Sequence, residues 1–197
     1  FLSGDSTEML QRATLRKGSE IRGSILAEHG FSALITITAD ETLHRILVDF
    51  GFSGHGVVFN ADVLAVDLGK IETMVLSHGH PDHPGGLEQV TKRVNKEGIE
   101  LVLHPAAFKH PRYVKTKEHL KGYYPSFTRE KVQDMGVTLV ETKEPFPLLE
   151  GFLFFLGEIP RTTLFEKGMP NAYYEENGEE KKDPIEDDTA IVANVKG

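Results

Sequence analysis

The sequence predicts an α/β fold, and three observations carry that prediction. Apolar runs of strand length alternate with runs of helical spacing between Leu47 and Leu103. A loop of unusual chemistry, Ser77-His78-Gly79-His80-Pro81-Asp82-His83-Pro84-Gly85-Gly86, follows one of those strands directly and precedes a helix start. The composition, 39% hydrophobic and 26% charged over 197 residues, is that of a globular domain with room for a sizeable core.

Residues 1–18 mix leucines with Arg12, Arg16 and Lys17 without a clear period and read as an irregular lead-in. Residues 31–38 alternate as a half-buried strand, 39–42 turn, and 44–50 return, which predicts a β-hairpin. Gly51, Gly54 and Gly56 mark a loop before a helix over 57–66. A strand at 72–76 leads into the histidine loop, a helix follows over about 87–96 with Gly98 as its stop, and 99–103 is the next strand. If those two strands are parallel, both end at one sheet edge, where α/β folds place their ligands. His104 would then lie on the side of the histidine loop.

From 104 to 132 the chain turns basic: Lys109, Arg112, Lys115, Lys117, Lys121, Arg129 and Lys131 face only Glu118 and Glu130. Tyr113, Tyr123, Tyr124 and Phe127 are interleaved. The stretch reads as a lid-like rim that draws an anionic substrate, or as a solvated helical excursion whose aromatics pack on the domain. Further strands are predicted around 137–140, 146–149 and 152–156. Residues 166–188, acidic and rich in turn formers, read as a long exposed loop, and 189–195 as one more strand.

The formal net charge of −8 disfavours a protein built to coat nucleic acid. The absence of cysteine excludes disulfides, thiolate metal sites and a cysteine nucleophile. No apolar run approaches the roughly 20 residues that span a membrane, and a cytoplasmic protein is expected. The oligomeric state is left open, a homo-oligomer included. The chain begins at Phe1 and stops at Gly197 just past a predicted strand, so both ends read as cut.

Imidazole and carboxylate are the ligands that borderline metals such as zinc prefer. His78 and His80, one residue apart, project to the same side of an extended backbone and can grip one ion together. Asp82 and His83 come after the turn at Pro81, which aims a second pair at a neighbouring point. Pro84 suits a first helical position. Gly85 and Gly86 allow the helix start to pack close, and the loop predicts two metal positions side by side.

His78-x-His80-x-Asp82-His83, after a strand and with Gly85-Gly86 behind it, resembles the signature of the metallo-β-lactamase superfamily. Leu47-Val48-Asp49-Phe50-Gly51 resembles that superfamily's strand ending in Asp-Thr-Gly, with Phe50 in place of the threonine. Glu28-His29-Gly30-Phe31-Ser32, Val66-Asp67-Leu68, Gly157-Glu158-Ile159-Pro160-Arg161 and Asp187-Asp188-Thr189-Ala190 resemble the dihydropterin-phosphate synthase-like branch. Its namesake joins a dihydropterin and a ribofuranosyl-aminobenzene phosphate.

The resemblance implies an αββα sandwich of which this chain is mainly the first half. It implies two divalent ions, zinc first with manganese or iron as alternatives, on His78, His80, Asp82 and His83, with Asp82 also catalytic. Asp49 would orient the metal loop from behind rather than bind. His29 and His104 are candidates to line the pocket. The implied activity is that of a metal-dependent hydrolase or synthase acting on a small, anionic, phosphorylated or pterin-like molecule. The alternatives are an RNA-processing nuclease of the same superfamily and a non-catalytic metal-binding domain. Members continue into a second β-rich half with further histidines, so residues 1–197 are expected to form a single but incomplete domain.

Overall fold

The computed structural model describes residues 24–39, 41–117, 120–166 and 168–193; the expected lead-in at 1–18 lies outside them. The elements in order are β1 (Ala33–Ala39), β2 (Thr42–Val48), α1 (Gly56–Val63), β3 (Thr73–Val75), α2 (Leu87–Val94), β4 (Glu100–Leu103), β5 (Arg112–Lys115), β6 (Lys121–Tyr123), α3 (Arg129–Gln133), β7 (Thr138–Glu141), β8 (Phe146–Leu148), β9 (Leu153–Phe155), β10 (Ala172–Glu176), β11 (Glu179–Lys182) and β12 (Ile191–Ala193). They form three sheets, in the orders β1-β2-β3-β4-β7, β11-β10-β5-β6 and β12-β9-β8. In the first, β1 pairs antiparallel with β2 as the expected hairpin, and β2, β3, β4 and β7 run parallel.

The parallel strands are apolar on both faces because both faces are covered. Side chains alternate, so Leu47, Met74, Leu76 and Leu101 point one way and join Leu87 and Val90 of α2 and Val132 of α3. Ile46, Val48, Val75 and Val102 point the other way and meet Leu148, Leu153 and Phe155 of the β12-β9-β8 sheet. Fully buried side chains of this size each contribute about 1.5–3 kcal/mol. The layering is helices, parallel sheet, second sheet, which is the first three layers of the expected sandwich.

Helix α2 shows why the order strand, loop, helix was readable. Leu87, Val90, Thr91 and Val94 are its buried stripe, and Glu88 pairs with Lys92 one turn on. Its stop is Asn95 in the left-handed conformation, φ 51°, rather than Gly98.

Two expectations fail in the second half of the chain. The basic stretch is not a helical excursion: after a short 3-10 turn at Pro105–Phe108, β5 and β6 form a hairpin there. The acidic stretch 166–188 is not one exposed loop either, since β10 pairs with β5 and β11 extends the same sheet. Opposite charges replace apolar alternation as the sheet's signal. Lys115 pairs with Glu180, Lys121 with Glu175 at 2.9 Å, and Lys181 with Glu176 at 2.5 Å. Tyr113, fully buried, lies between the rings of Tyr123 and Tyr173 with Lys121 above it and donates to Glu180 Oε2.

Candidate metal centre

Strand β2 is followed by Asp49, whose φ of 58° turns the chain out of the strand. Asp is among the few residues that tolerate this region. The turn places its carboxylate, 1% exposed, beneath the histidine loop at the end of β3. Oδ1 accepts from Ser77 N at 2.7 Å, while Oδ2 accepts from Ser77 Oγ and from His83 Nδ1, both at 2.7 Å. Backbone bonds fasten the other side of the loop, from Phe50 N to His83 O, Gly85 N to Gly51 O and Gly86 N to Phe50 O. The approach is so close that a Cβ at Gly85 would stand 1.9 Å from Phe52 O, and one at Gly86 2.3 Å from Phe50 O. This is the physical need for both glycines.

So held, the loop brings one ligand atom each from His78, Asp82 and His83 within 4.8 Å of one another. With Nδ1 engaged by Asp49, His83 presents Nε2, which lies 3.6 Å from Asp82 Oδ2. The His78 and His83 rings are 3.9 Å apart. The grouping therefore differs from the pairing that spacing predicts, since His80 stands beside the group, its ring 5.0 Å from that of His78. His80 Nε2 meets Asp183 Oδ2 at 3.3 Å, and Tyr124 packs edge-on against its ring at 5.4 Å.

Behind the loop lies a cluster of buried charge that local sequence reading does not find. Asp187 accepts from Gly79 N at 2.7 Å and takes two hydrogen bonds from the Arg112 guanidinium, at 2.8 and 3.1 Å. Arg112 Nε is 2.9 Å from Asp183 Oδ2 but is not aligned to donate, so that contact is one of charge alone. Burial pushes the Asp187 carboxyl up, yet the Arg112 charge and the hydrogen bonds from Arg112 and Gly79 win and hold it down at about 2. Asp183 is lowered too: burial opposes the shift, and the bond from His80 and the Arg112 charge outweigh it.

The electrostatics also prepare the imidazoles. Burial, then the neighbouring His83 and His80, lower His78 to about 4, so its imidazole is neutral at neutral pH. His83 is raised, because the Asp49 hydrogen bond and the charges of Asp49, Asp82 and Asp188 outweigh its burial. Among the described residues Asp49, Asp183 and Asp187 are buried carboxylates, and the one buried guanidinium, that of Arg112, faces Asp183 and Asp187. An uncompensated buried charge costs several kcal/mol. A divalent cation on the loop's nitrogen and oxygen donors would balance that excess, and borderline ions such as zinc match this donor set.

A cavity of about 330 Å³ opens at the group, walled by Phe31, Ile35, Val48, His78, His83 and Asp188. A larger hollow of about 620 Å³ on the other side of the loop, bounded by Gly79, Pro81, Gly85 and Phe127, is lined by none of the histidines. His29 does not line the cavity at the group; its side chain is 87% exposed, with Nε2 3.1 Å from Asp82 Oδ2. His104 does not line that cavity either. It is fully buried at a strand end, where Nδ1 accepts from Ala106 N at 3.1 Å and Nε2 meets Glu158 at 3.3 Å. In the basic stretch Lys109, Arg112, Lys115, Lys121 and Arg129 each face a carboxylate.

The sequence profile of the metallo-beta-lactamase superfamily matches residues 29–174, which contain the loop, Asp49 and the parallel sheet. The chain belongs to the metallo-β-lactamase superfamily. Within it, the chain is 32% identical over 175 residues to the 7,8-dihydropterin-6-methyl-4-(beta-D-ribofuranosyl)-aminobenzene-5'-phosphate synthase of Methanocaldococcus jannaschii, covering 87% of this chain and 59% of that protein. An uncharacterized protein of the same organism is 29% identical over 171 residues, covering 85% and 60%. The chain thus spans about three fifths of the length of these relatives. The fold is that of Tm1679, a metal-dependent hydrolase of the β-lactamase superfamily, whose crystal structure superposes with a TM-score of 0.62 at 24% identity, covering 89% of this chain and 58% of that one. Among the described residues no helix is long and apolar enough to cross a membrane.

Proposed function

We propose that this chain carries part of a metal-dependent hydrolase or synthase that acts, at a dinuclear site, on a small anionic substrate of phosphorylated or pterin-like chemistry. The observation that carries the reading is the convergence of His78, Asp82 and His83 over a carboxylate, Asp49, that spends all its visible bonds on Ser77 and His83. The name of the 32% identical relative, a synthase whose product is a pterin-bearing phosphate, supports the substrate class.

His78, Asp82 and His83, with His80 beside them, are the residues that would hold divalent ions, zinc first and manganese or iron next. Such ions supply Lewis acidity and a bound water of lowered pKa. Asp49 fixes the ring of His83 with the proton on Nδ1, so that Nε2 faces the site. Asp82, the one acidic member of the group, has Oδ2 between His29 Nε2 and His83 Nε2, where it is placed to hold or pass a proton. Phe31, Ile35 and Val48 give the cavity an apolar wall that suits the flat face of a ring and excludes water. Five of the seven basic residues of the stretch face carboxylates, which counts against an RNA-processing reading.

Elemental analysis after incubation with zinc, followed by desalting, tests the reading. The expected result is at least about one ion per chain, lost in His78→Ala and in His83→Ala. A wild-type content well below one ion overturns it.

A further inference from the structure

We infer that Asp183 is the positioning residue of His80, held in place by Arg112 and Asp187, and that it turns Nδ1 of His80 toward the metal. The inference rests on the proposed metal reading for what Nδ1 faces, but the orientation itself stands on geometry. His80 is buried, and its Nε2 has a carboxylate oxygen, Asp183 Oδ2, at 3.3 Å. A neutral imidazole facing an ionised carboxylate places its proton on the nitrogen that faces it. Nδ1 is then the lone-pair nitrogen. Ligating histidines are commonly fixed in this way by a carboxylate on the far nitrogen, as Asp49 fixes His83 in the opposite sense.

The remaining contacts explain why Asp183 is where it is. Its other oxygen accepts from Ile185 N at 2.9 Å, which closes a tight turn after β11. Arg112 lies 2.9 Å away through Nε, giving charge compensation without taking the hydrogen-bond direction that His80 uses. Arg112 spends its aligned donors on Asp187, which in turn takes the N–H of Gly79, the residue before His80. One buried guanidinium thus serves two carboxylates: one grips the backbone of the loop and the other grips its imidazole. The β10–β11 hairpin, 100 residues away in sequence, is thereby coupled to the ligand set.

The test uses the whole chain with Asp183→Ala and Asp183→Asn. Long-range proton–nitrogen NMR of the metal-free protein at pH about 8, above the imidazole range, reads which nitrogen of His80 carries the proton. A zinc titration against a chromogenic chelator reads affinity. Wild type is expected to show the proton on Nε2. Asp183→Ala should show a mixture of tautomers and a 10- to 100-fold weaker affinity, in the range typical for loss of such a partner. Asp183→Asn, whose amide oxygen still accepts from Nε2, should keep the tautomer and lose affinity by less. A wild-type proton on Nδ1, or affinities of both variants within twofold of wild type, overturns the inference. If wild type binds no zinc, the metal reading fails and the tautomer shift in Asp183→Ala still decides the positioning role. If Asp183→Ala does not fold, unchanged zinc affinity in Asp183→Asn overturns it and weakened affinity supports it.

Discussion

Replacing Asp49 should separate two things that one side chain does, setting a backbone turn and bolting the histidine loop. In Asp49→Ala the loop loses three hydrogen bonds to a buried carboxylate, each 2.7 Å long. Ser77 N loses its acceptor, and Ser77 Oγ keeps only its longer contacts with His78 Nδ1 and His83 Nδ1, at 3.2 and 3.1 Å. Removing one partner of a buried charged contact costs about 3–5 kcal/mol. Alanine at a φ of 58° adds about 1 kcal/mol of steric cost that Asp largely avoids. Asp49→Ala should therefore lose about 4–6 kcal/mol, comparable to the whole stability of many domains of this size. Asp49→Asn keeps the tolerated backbone and an oxygen for Ser77 but loses the charge, and should cost about 2 kcal/mol, the scale of one charge-assisted hydrogen bond. Urea unfolding of the metal-free protein at neutral pH, read as a change of midpoint at constant slope, measures both. A loss below about 1 kcal/mol in Asp49→Ala would refute the bolt. Equal losses in the two variants would show that the turn or the shape, not the charge, is what the site needs.

Two further outcomes follow from the same contacts. Gly79→Ala would bring a Cβ to 2.1 Å from Ala107 O and 2.7 Å from Arg112 Nη1, so it should cost about 3 kcal/mol and weaken zinc binding, read by urea unfolding and chelator competition. Acid should destabilise the fold through Asp187, whose carboxyl is held at about 2 against an ordinary 3.8. A depressed carboxylate stabilises the fold above its unfolded value and loses that contribution as pH falls through its folded value. On the order of 2 kcal/mol should therefore disappear between about pH 4 and pH 2, and the loss should be absent in Asp187→Asn. Thermal unfolding across that interval measures it, and equal slopes in the two proteins would refute the assignment.

What the sequence made legible is what local chemistry encodes. The hairpin β1–β2, the buried strands β3 and β4, helix α2 and the histidine loop each carry their signal within about ten neighbouring residues, as apolar period, turn glycine or density of imidazole and carboxylate. Asp49 was legible only through resemblance to a family pattern, since a lone Asp after a strand says nothing of what it will touch. The hairpin β10–β11 and its partner β5 were not legible. The strand Glu-Glu-Lys-Lys at 179–182 has no apolar alternation, and its stability comes from partners such as Lys115, 65 residues away. Arg112 and Asp183 look like parts of a basic rim and an acidic loop for the same reason, and Asp187 stands out only through the family-like stretch Asp187-Asp188-Thr189-Ala190. Charged residues look solvated until the partner that buries them is known.

That failure bears on how the loop at 77–86 works. Taken alone, its three imidazoles have two ring nitrogens each and no means of choosing between them. The choice for His83 is made by Asp49 from the end of β2, which leaves Nε2 outward. For His80 the inferred choice is made by Asp183 from the turn after β11, which leaves Nδ1 outward. The two carboxylates come from separate sheets and act on opposite nitrogens, so the ligand set requires both sheets to be folded and docked. A peptide of the loop alone should hold zinc as a flexible histidine cluster does, without the fixed tautomers. Specificity of coordination belongs to the residues that the loop's own sequence does not contain.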